Sequence, residues 1–257
     1  MKRALSPASP WLACPKARPA ALKRLVCLPH GGGSASAYYA LAALLPETIE
    51  LLAVQLPGRE TRLSEPPFTR MPPLVKALAD ALEPIAERPY AFFGHSFGAL
   101  LGFEASRELR RRGLPLPETM IASGRRAPTV ASSEPPLHKL PDDRFVAELV
   151  RRYDAIPRVI LDEPELVALF VPILKADFAV LETHVHQGEP PLTCALGLYG
   201  GLDDPQTAQM EGWAELVSGS CRRRHFPGGH FYLQRPDQRR PLASALAEDL
   251  MALAPAA

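Results

Sequence analysis

Gly94-His95-Ser96-Phe97-Gly98 sets a serine between two glycines, directly after the apolar run Tyr90-Ala91-Phe92-Phe93 and before Ala99-Leu100-Leu101-Gly102. A strand that ends on glycine and turns at once into a helix leaves the middle residue on a sharp corner, its side chain projecting from the top of the sheet. Ser96 is therefore placed to act as a nucleophile. A serine hydroxyl attacks poorly at neutral pH, so it needs a base within hydrogen-bond reach and an acid that fixes the base's tautomer. Asp204, in Gly201-Leu202-Asp203-Asp204-Pro205, and His230, in Pro227-Gly228-Gly229-His230-Phe231, follow in the order serine, acid, histidine, each after a strand-like run. Asp204 is preferred as the acid because it sits at the turn before proline, with Asp203 as the alternative. Of the other histidines, His30 and His95 precede the acid, and His138, His184 and His186 fall in a helical insertion.

A second glycine-rich loop, His30-Gly31-Gly32-Gly33-Ser34, follows the apolar run Arg24 to Pro29. It lacks both G-K-[ST] and the G-x-G-x-x-G spacing, so a phosphate cradle is a poor reading. Its better use is an oxyanion hole, with Gly31 donating one N–H and Phe97, the residue after the serine, donating the other. The chemistry these residues allow is acyl transfer through a serine ester.

The elements that must hold these groups can be read from periodicity. Arg24–Pro29, Ile49–Leu56, Tyr90–Phe93, Glu118–Ser123, Cys194–Tyr199 and Cys221–Phe226 read as strands, and Trp11–Cys14 as a short edge strand. Helices are expected at Tyr38–Leu45, Met71–Glu87, from the serine to Arg112 with Gly113 as its stop, at Thr207–Val217, and at Pro241–Leu253. The alternation predicts an α/β fold, a mostly parallel sheet covered on both faces. It breaks between about 126 and 188, where a proline-rich loop precedes helical segments at Asp142–Tyr153 and Glu163–Thr183, with Pro157 ending the first unit. Helices inserted there make a lid over the carboxyl ends of the strands, or a rigid extension.

With 257 residues, 47% of them apolar, and a formal charge of +1, the chain suits one domain, 1–257, and gives no electrostatic case for nucleic acid. Arginines cluster at 110–112, 151–152, 222–224 and 239–240. Cys14, Cys27, Cys194 and Cys221 share no metal-ligand spacing and read as reduced packing residues. There is no apolar signal region and no run near the roughly eighteen residues a membrane span needs. No metal, no cofactor, no membrane and a cytoplasmic monomer are expected.

Taken in order, Leu28-Pro29-His30-Gly31-Gly32-Gly33-Ser34, Leu56-Pro57-Gly58-Arg59-Glu60, Gly94–Ala99, Leu140-Pro141-Asp142-Asp143, Ala176-Asp177-Phe178, Gly201 to Pro205 with Trp213, and Gly228-Gly229-His230-Phe231 resemble the motif series of type II thioesterases, the stand-alone editing enzymes of nonribosomal peptide and polyketide synthases. The resemblance runs from about Trp11 through nearly the whole chain. It implies an α/β-hydrolase fold with a helical lid and hydrolysis of acyl groups from the phosphopantetheine arm of acyl or peptidyl carrier proteins. It also implies Ser96, Asp204 and His230 as the triad and Gly31 and Phe97 as the oxyanion donors. Phe97 stands where the family often has methionine, Lys175 where arginine is usual, and Tyr153-Asp154-Ala155-Ile156-Pro157 replaces a more glycine-rich lid turn. A medium-chain fatty acyl thioesterase and a general carboxylesterase are the alternatives that would share the triad.

Overall fold

A computed structural model describes residues 9–132, 134–153 and 162–252. Seven strands form one sheet: β1 Leu12–Ala13, β2 Lys23–Leu28, β3 Ile49–Val54, β4 Tyr90–His95, β5 Thr119–Ser123, β6 Ala195–Gly201 and β7 Cys221–Phe226. Their spatial order is β1-β3-β2-β4-β5-β6-β7, and every pair is parallel except β1 with β3. The expected edge strand is therefore the antiparallel one, and β4, which leads into Ser96, lies at the centre.

The period-2 pattern of each strand divides the core into two layers. Val26, Leu28, Phe92, Met120, Leu196 and Leu198 face one side, where they pack with helix α2 (Met71–Leu82), helix α3 (Phe97–Arg111) and Trp213. Leu25, Cys27, Phe93, Ile121 and Tyr199 face the other, against α1 (Tyr39–Leu44) and α6 (Arg239–Ala252). Because both faces are covered there, β2 to β6 are almost wholly buried and largely apolar, whereas the edge strand β7 carries Arg222, Arg223 and Arg224 and is mostly exposed.

Several helices differ in detail from their expected spans. The expected Tyr38–Leu45 helix is a 3₁₀ turn over Ala35–Tyr38 that continues into α1. Helix α2 stops at Leu82 and passes into a 3₁₀ turn over Glu83–Ile85, because Pro84 lacks the N–H that an α-helix would use there. The segment from Thr207 resolves into two 3₁₀ pieces, Thr207–Gln209 and Glu211–Leu216. Gly113 ends α3 as expected: its N–H donates to Arg110 C=O and the Leu114 N–H donates to Leu109 C=O, the paired bonds of a glycine helix stop.

Between β5 and β6 lie α4 (Asp142–Tyr153) and α5 (Pro164–Glu182). They share a small core of their own around Phe145, Leu149, Val171 and Phe178. Asp154-Ala155-Ile156-Pro157 lies outside the described residues. All four cysteines are free thiols, Cys27 and Cys194 being buried. Among the described residues no helix is long and apolar enough to cross a membrane.

Candidate active site

Four parallel strands deliver the candidate residues to one edge. Gly31 follows β2, Ser96 follows β4, Asp204 follows β6 and His230 follows β7. In a parallel sheet the carboxyl ends of all strands share that edge, so residues separated by as many as 199 positions meet without any special contact in sequence.

The corner at Ser96 is as tight as its glycines imply. A Cβ on Gly94 would come within 2.2 Å of Gly98 C=O, and one on Gly98 within 2.2 Å of Leu28 C=O, so neither position accepts a side chain. Ser96 itself has φ 54 and ψ −111. A non-glycine residue there is strained by about 1–3 kcal/mol, and the surrounding structure must impose it. It does so through the Ser96 N–H, which donates to Ser123 C=O at 2.7 Å, and the Ala99 N–H, which donates to Ser96 C=O at 3.1 Å.

His230 Nδ1 lies 2.8 Å from Asp204 Oδ2, with the carboxylate only 2% exposed. The other carboxylate oxygen accepts the Gln206 N–H at 3.0 Å, which fixes its plane. Asp203 is exposed, and the bond it makes is from its backbone N–H to Gly228 C=O. The carboxylate that holds the imidazole is thus that of Asp204. Ser96 and His230 line the same cavity, and among the described residues no hydrogen bond joins them directly. Such contacts are commonly long in an empty site and shorten with substrate.

The cavity measures about 210 Å³ and is mostly apolar. Gly31, Ser96, Phe97 and His230 form its floor, while α4 and α5 supply Val146, Leu149, Val167, Phe170, Val171, Leu174 and Leu181. In the glycine loop the Gly32 N–H donates to Asp177 Oδ2 at 2.7 Å and the Gly33 N–H to His30 C=O at 2.9 Å. Gly31 N–H and Phe97 N–H have no protein acceptor among the described residues, and both belong to residues at the cavity. That is the arrangement an oxyanion site needs.

Three other histidines make their polar contacts with groups other than Ser96. His138 Nδ1 lies 2.6 Å from Glu182, and His184 Nε2 lies 3.3 Å from Glu104. His95 is wholly buried, its Nδ1 2.9 Å from Ser123 Oγ, which in turn meets the Tyr232 hydroxyl at 2.7 Å. Its ring stands 4.9 Å from that of His230, and Tyr153 from α4 stands 5.2 Å from the same imidazole on centroids. No residue pattern along the chain gives Tyr153, His95, Tyr232 or the Arg59–Asp177 ion pair a role. The glycine-arginine turn and the Ala-Asp-Phe segment were visible as motifs, but nothing in their spacing ties one to the other.

Burial, with His230 and then Arg59 nearby, pushes His30 down to about 3, and burial, with His230 and His30 nearby, holds His95 well below its ordinary 6.5. In the unfolded chain both titrate near 6.5, so below that pH the unfolded state binds more protons than the fold. Their stabilising share is full above about pH 6.5 and is lost as the pH falls, for His30 down to about 3. Urea midpoints are expected to drop between pH 7 and pH 4, and His30→Asn is expected to show a shallower drop. Equal slopes for the two proteins would contradict this account.

The thioesterase domain family matches residues 23–250. The chain is 34% identical over 231 residues to the gramicidin S biosynthesis protein GrsT of Aneurinibacillus migulanus, covering 89% of this chain and 90% of that one. It is 38% identical over 231 residues to thioesterase PikA5 of Streptomyces venezuelae, covering 89% and 81% of the two. Among solved structures it is similar to the RedJ thioesterase from the prodiginine pathway of Streptomyces coelicolor, with a TM-score of 0.84, 35% identity, and coverage of 96% of this chain and 91% of that one.

Proposed function

This chain belongs to the thioesterase domain family, and from that membership we propose that it clears acyl groups from the phosphopantetheine arm of carrier-protein domains in a nonribosomal peptide or polyketide synthase. It is a thioester hydrolase of the α/β-hydrolase fold. The observation that carries the finer reading is the apolar cavity roofed by α4 and α5, with Ser96 and the Asp204–His230 pair at its floor. No cofactor enters the scheme; the pantetheine belongs to the substrate.

In this scheme Ser96 Oγ attacks the thioester carbonyl while His230 Nε2 takes its proton. Asp204 on Nδ1 keeps the imidazole in the tautomer that can accept there and stabilises the imidazolium that forms. The carbonyl oxygen becomes an oxyanion between the Gly31 and Phe97 N–H groups, and one such donor is worth on the order of 10²–10³ in rate. The C–S bond breaks, His230 returns the proton to the pantetheine sulfur, and a water deprotonated by the same imidazole then releases the acid from Ser96.

The lining sets the acyl preference. Among the described residues its one carboxylate, Asp177, is already held by Arg59 and Gly32, so none of them offers an α-ammonium a free counter-ion, and a terminal carboxylate would be desolvated against aliphatic side chains. Uncharged alkyl acyl groups are the substrates this cavity fits.

Docking of the carrier is read from the arginines. Those at 110–112 pair with Glu108, Glu189 and Asp80, those at 151–152 with Glu148 and Glu134, and those at 222–224 with Asp249, Glu211 and Glu248. Among the described residues Arg239 and Arg240 are exposed and make no ion pair. Arg239 lines a second cavity of about 340 Å³, and Gln234, exposed at the surface, lines both this one and the catalytic cavity. An arm entering past Gln234 brings its phosphate, and the acidic carrier behind it, to Arg239.

Intact-mass assays of acetyl-, butyryl-, longer acyl- and aminoacyl-carrier proteins, beside the same groups on free pantetheine, test the reading. Carrier-bound alkyl groups are expected to turn over fastest, and Arg239→Glu is expected to raise KM for carrier substrates at least tenfold while sparing the pantetheine thioesters. Equal rates on free esters would indicate a general esterase, a maximum at medium chain length a fatty acyl thioesterase, and equal sensitivity of both substrate forms to Arg239→Glu would remove the docking assignment.

A further inference from the structure

The glycine loop that carries Gly31 is held by a residue of the lid. Asp177 on α5 receives Arg59 through two parallel bonds, Nη2 to Oδ1 and Nη1 to Oδ2, each 2.8 Å, with both side chains 4% exposed. Oδ2 also accepts the Gly32 N–H at 2.7 Å, and Arg59 Nη1 donates to Gly33 C=O at 3.0 Å. One buried ion pair thus grips both sides of the peptide units just after Gly31. Next to Arg59, Glu60 has φ 45 and accepts Ser34 Oγ at 2.6 Å and Ser36 Oγ as well, so the 57–60 turn also anchors the far end of the loop. From above, Leu174 packs directly on Gly32, where a Cβ would lie 2.4 Å from its Cδ2.

We infer that Arg59 and Asp177 are positioning residues for the oxyanion site, placing the Gly31 N–H by tying its loop to α5. Neither touches the reacting atoms. An oxyanion donor works only within a few tenths of an ångström of its place, and a glycine-rich loop has little stiffness of its own. A fold that needed only to attach α5 to the body could use apolar contacts, as it does around Phe178. A buried charge pair that spends one carboxylate oxygen on Gly32 and one guanidinium proton on Gly33 instead fixes where the loop lies and how it is turned. The ion pair joins the active-site loop to the helix that lines the acyl cavity, so the donor is in register only when α5 is seated.

The inference rests on the reading that Ser96 is the nucleophile and Gly31 an oxyanion donor, but not on any carrier protein. Its test therefore uses acyl-N-acetylcysteamine thioesters. Arg59→Met with Asp177→Leu replaces the pair by apolar volume and leaves no lone buried charge, while Asp177→Asn keeps an acceptor for Gly32 but gives up the counter-charge and one of the two acceptors for Arg59. For the double variant kcat is expected to fall 10- to 100-fold with KM within about twofold, and for Asp177→Asn by a smaller factor in the same direction. Affinity for a trifluoromethyl ketone, which forms an oxyanion on Ser96, is expected to fall in parallel, while a thioether analogue with no such oxygen binds as before. An unchanged kcat in a folded double variant would overturn the inference, as would equal weakening of both analogues, which would mean a collapsed cavity. Should the double variant not fold, the same two analogues on Asp177→Asn decide the matter. Full turnover by Ser96→Ala would instead remove the underlying reading, so the two failures are distinguishable.

Discussion

Ser96→Ala is expected to lower kcat on acyl thioesters by roughly 10⁴-fold or more, with the protein as stable as before. The size follows from what remains: without a nucleophile on the enzyme, only water can attack, helped by the binding cavity and the oxyanion donors. Stability should be unmoved because the Ser96 side chain makes no hydrogen bond among the described residues, while its backbone bonds to Ser123 and Ala99 do not depend on the side chain. Alanine inherits the same φ of 54 and the same strain. Ser96→Gly, which relaxes that strain, is expected to be equally inactive and at least as resistant to heat as Ser96→Ala. Single-turnover kinetics and melting curves on the three proteins check both halves. Substantial residual turnover in either variant would place the nucleophile elsewhere.

The second large effect separates two adjacent aspartates. Asp204→Asn is expected to lower kcat about 10⁴-fold, because an amide cannot stabilise the imidazolium and can present an N–H toward Nδ1, favouring the tautomer in which Nε2 carries the proton and cannot accept one. Asp203→Asn is expected to stay within about threefold of the parent, since its carboxylate is exposed and the residue's contribution to the loop is a backbone bond to Gly228. Both substitutions are nearly isosteric, so the contrast reads chemistry rather than packing. Comparable losses at the two positions would mean that the loop, not one carboxylate, is what His230 requires.

Much of this molecule is legible along the chain. The parallel sheet, the serine corner, the order of serine, acid and histidine, and the helical insertion all come from patterns that span a few residues: short, nearly continuous apolar runs in β2 to β6, glycines where strand and helix backbones nearly touch, and turns that end each strand. What failed was also local and instructive. The apolar stripe of α2 runs on toward Glu87, yet the helix ends at Leu82 because Pro84 breaks the hydrogen-bond ladder there. The Thr207–Val217 segment has helical spacing but resolves into two 3₁₀ pieces.

The architecture and the reaction class are written in the chain, because backbone geometry at Gly94, Ser96 and Gly98 and the burial of short apolar runs are short-range consequences of residue type. The tertiary structure alone decided which of two neighbouring carboxylates faces His230, which arginines are spent on internal ion pairs, and that Arg59 closes on Asp177 across 118 residues of chain to grip the glycine loop. Charged side chains of one kind are interchangeable in a sequence; they become distinct only when packed helices bring one guanidinium, and not another, within bonding distance of a buried carboxylate.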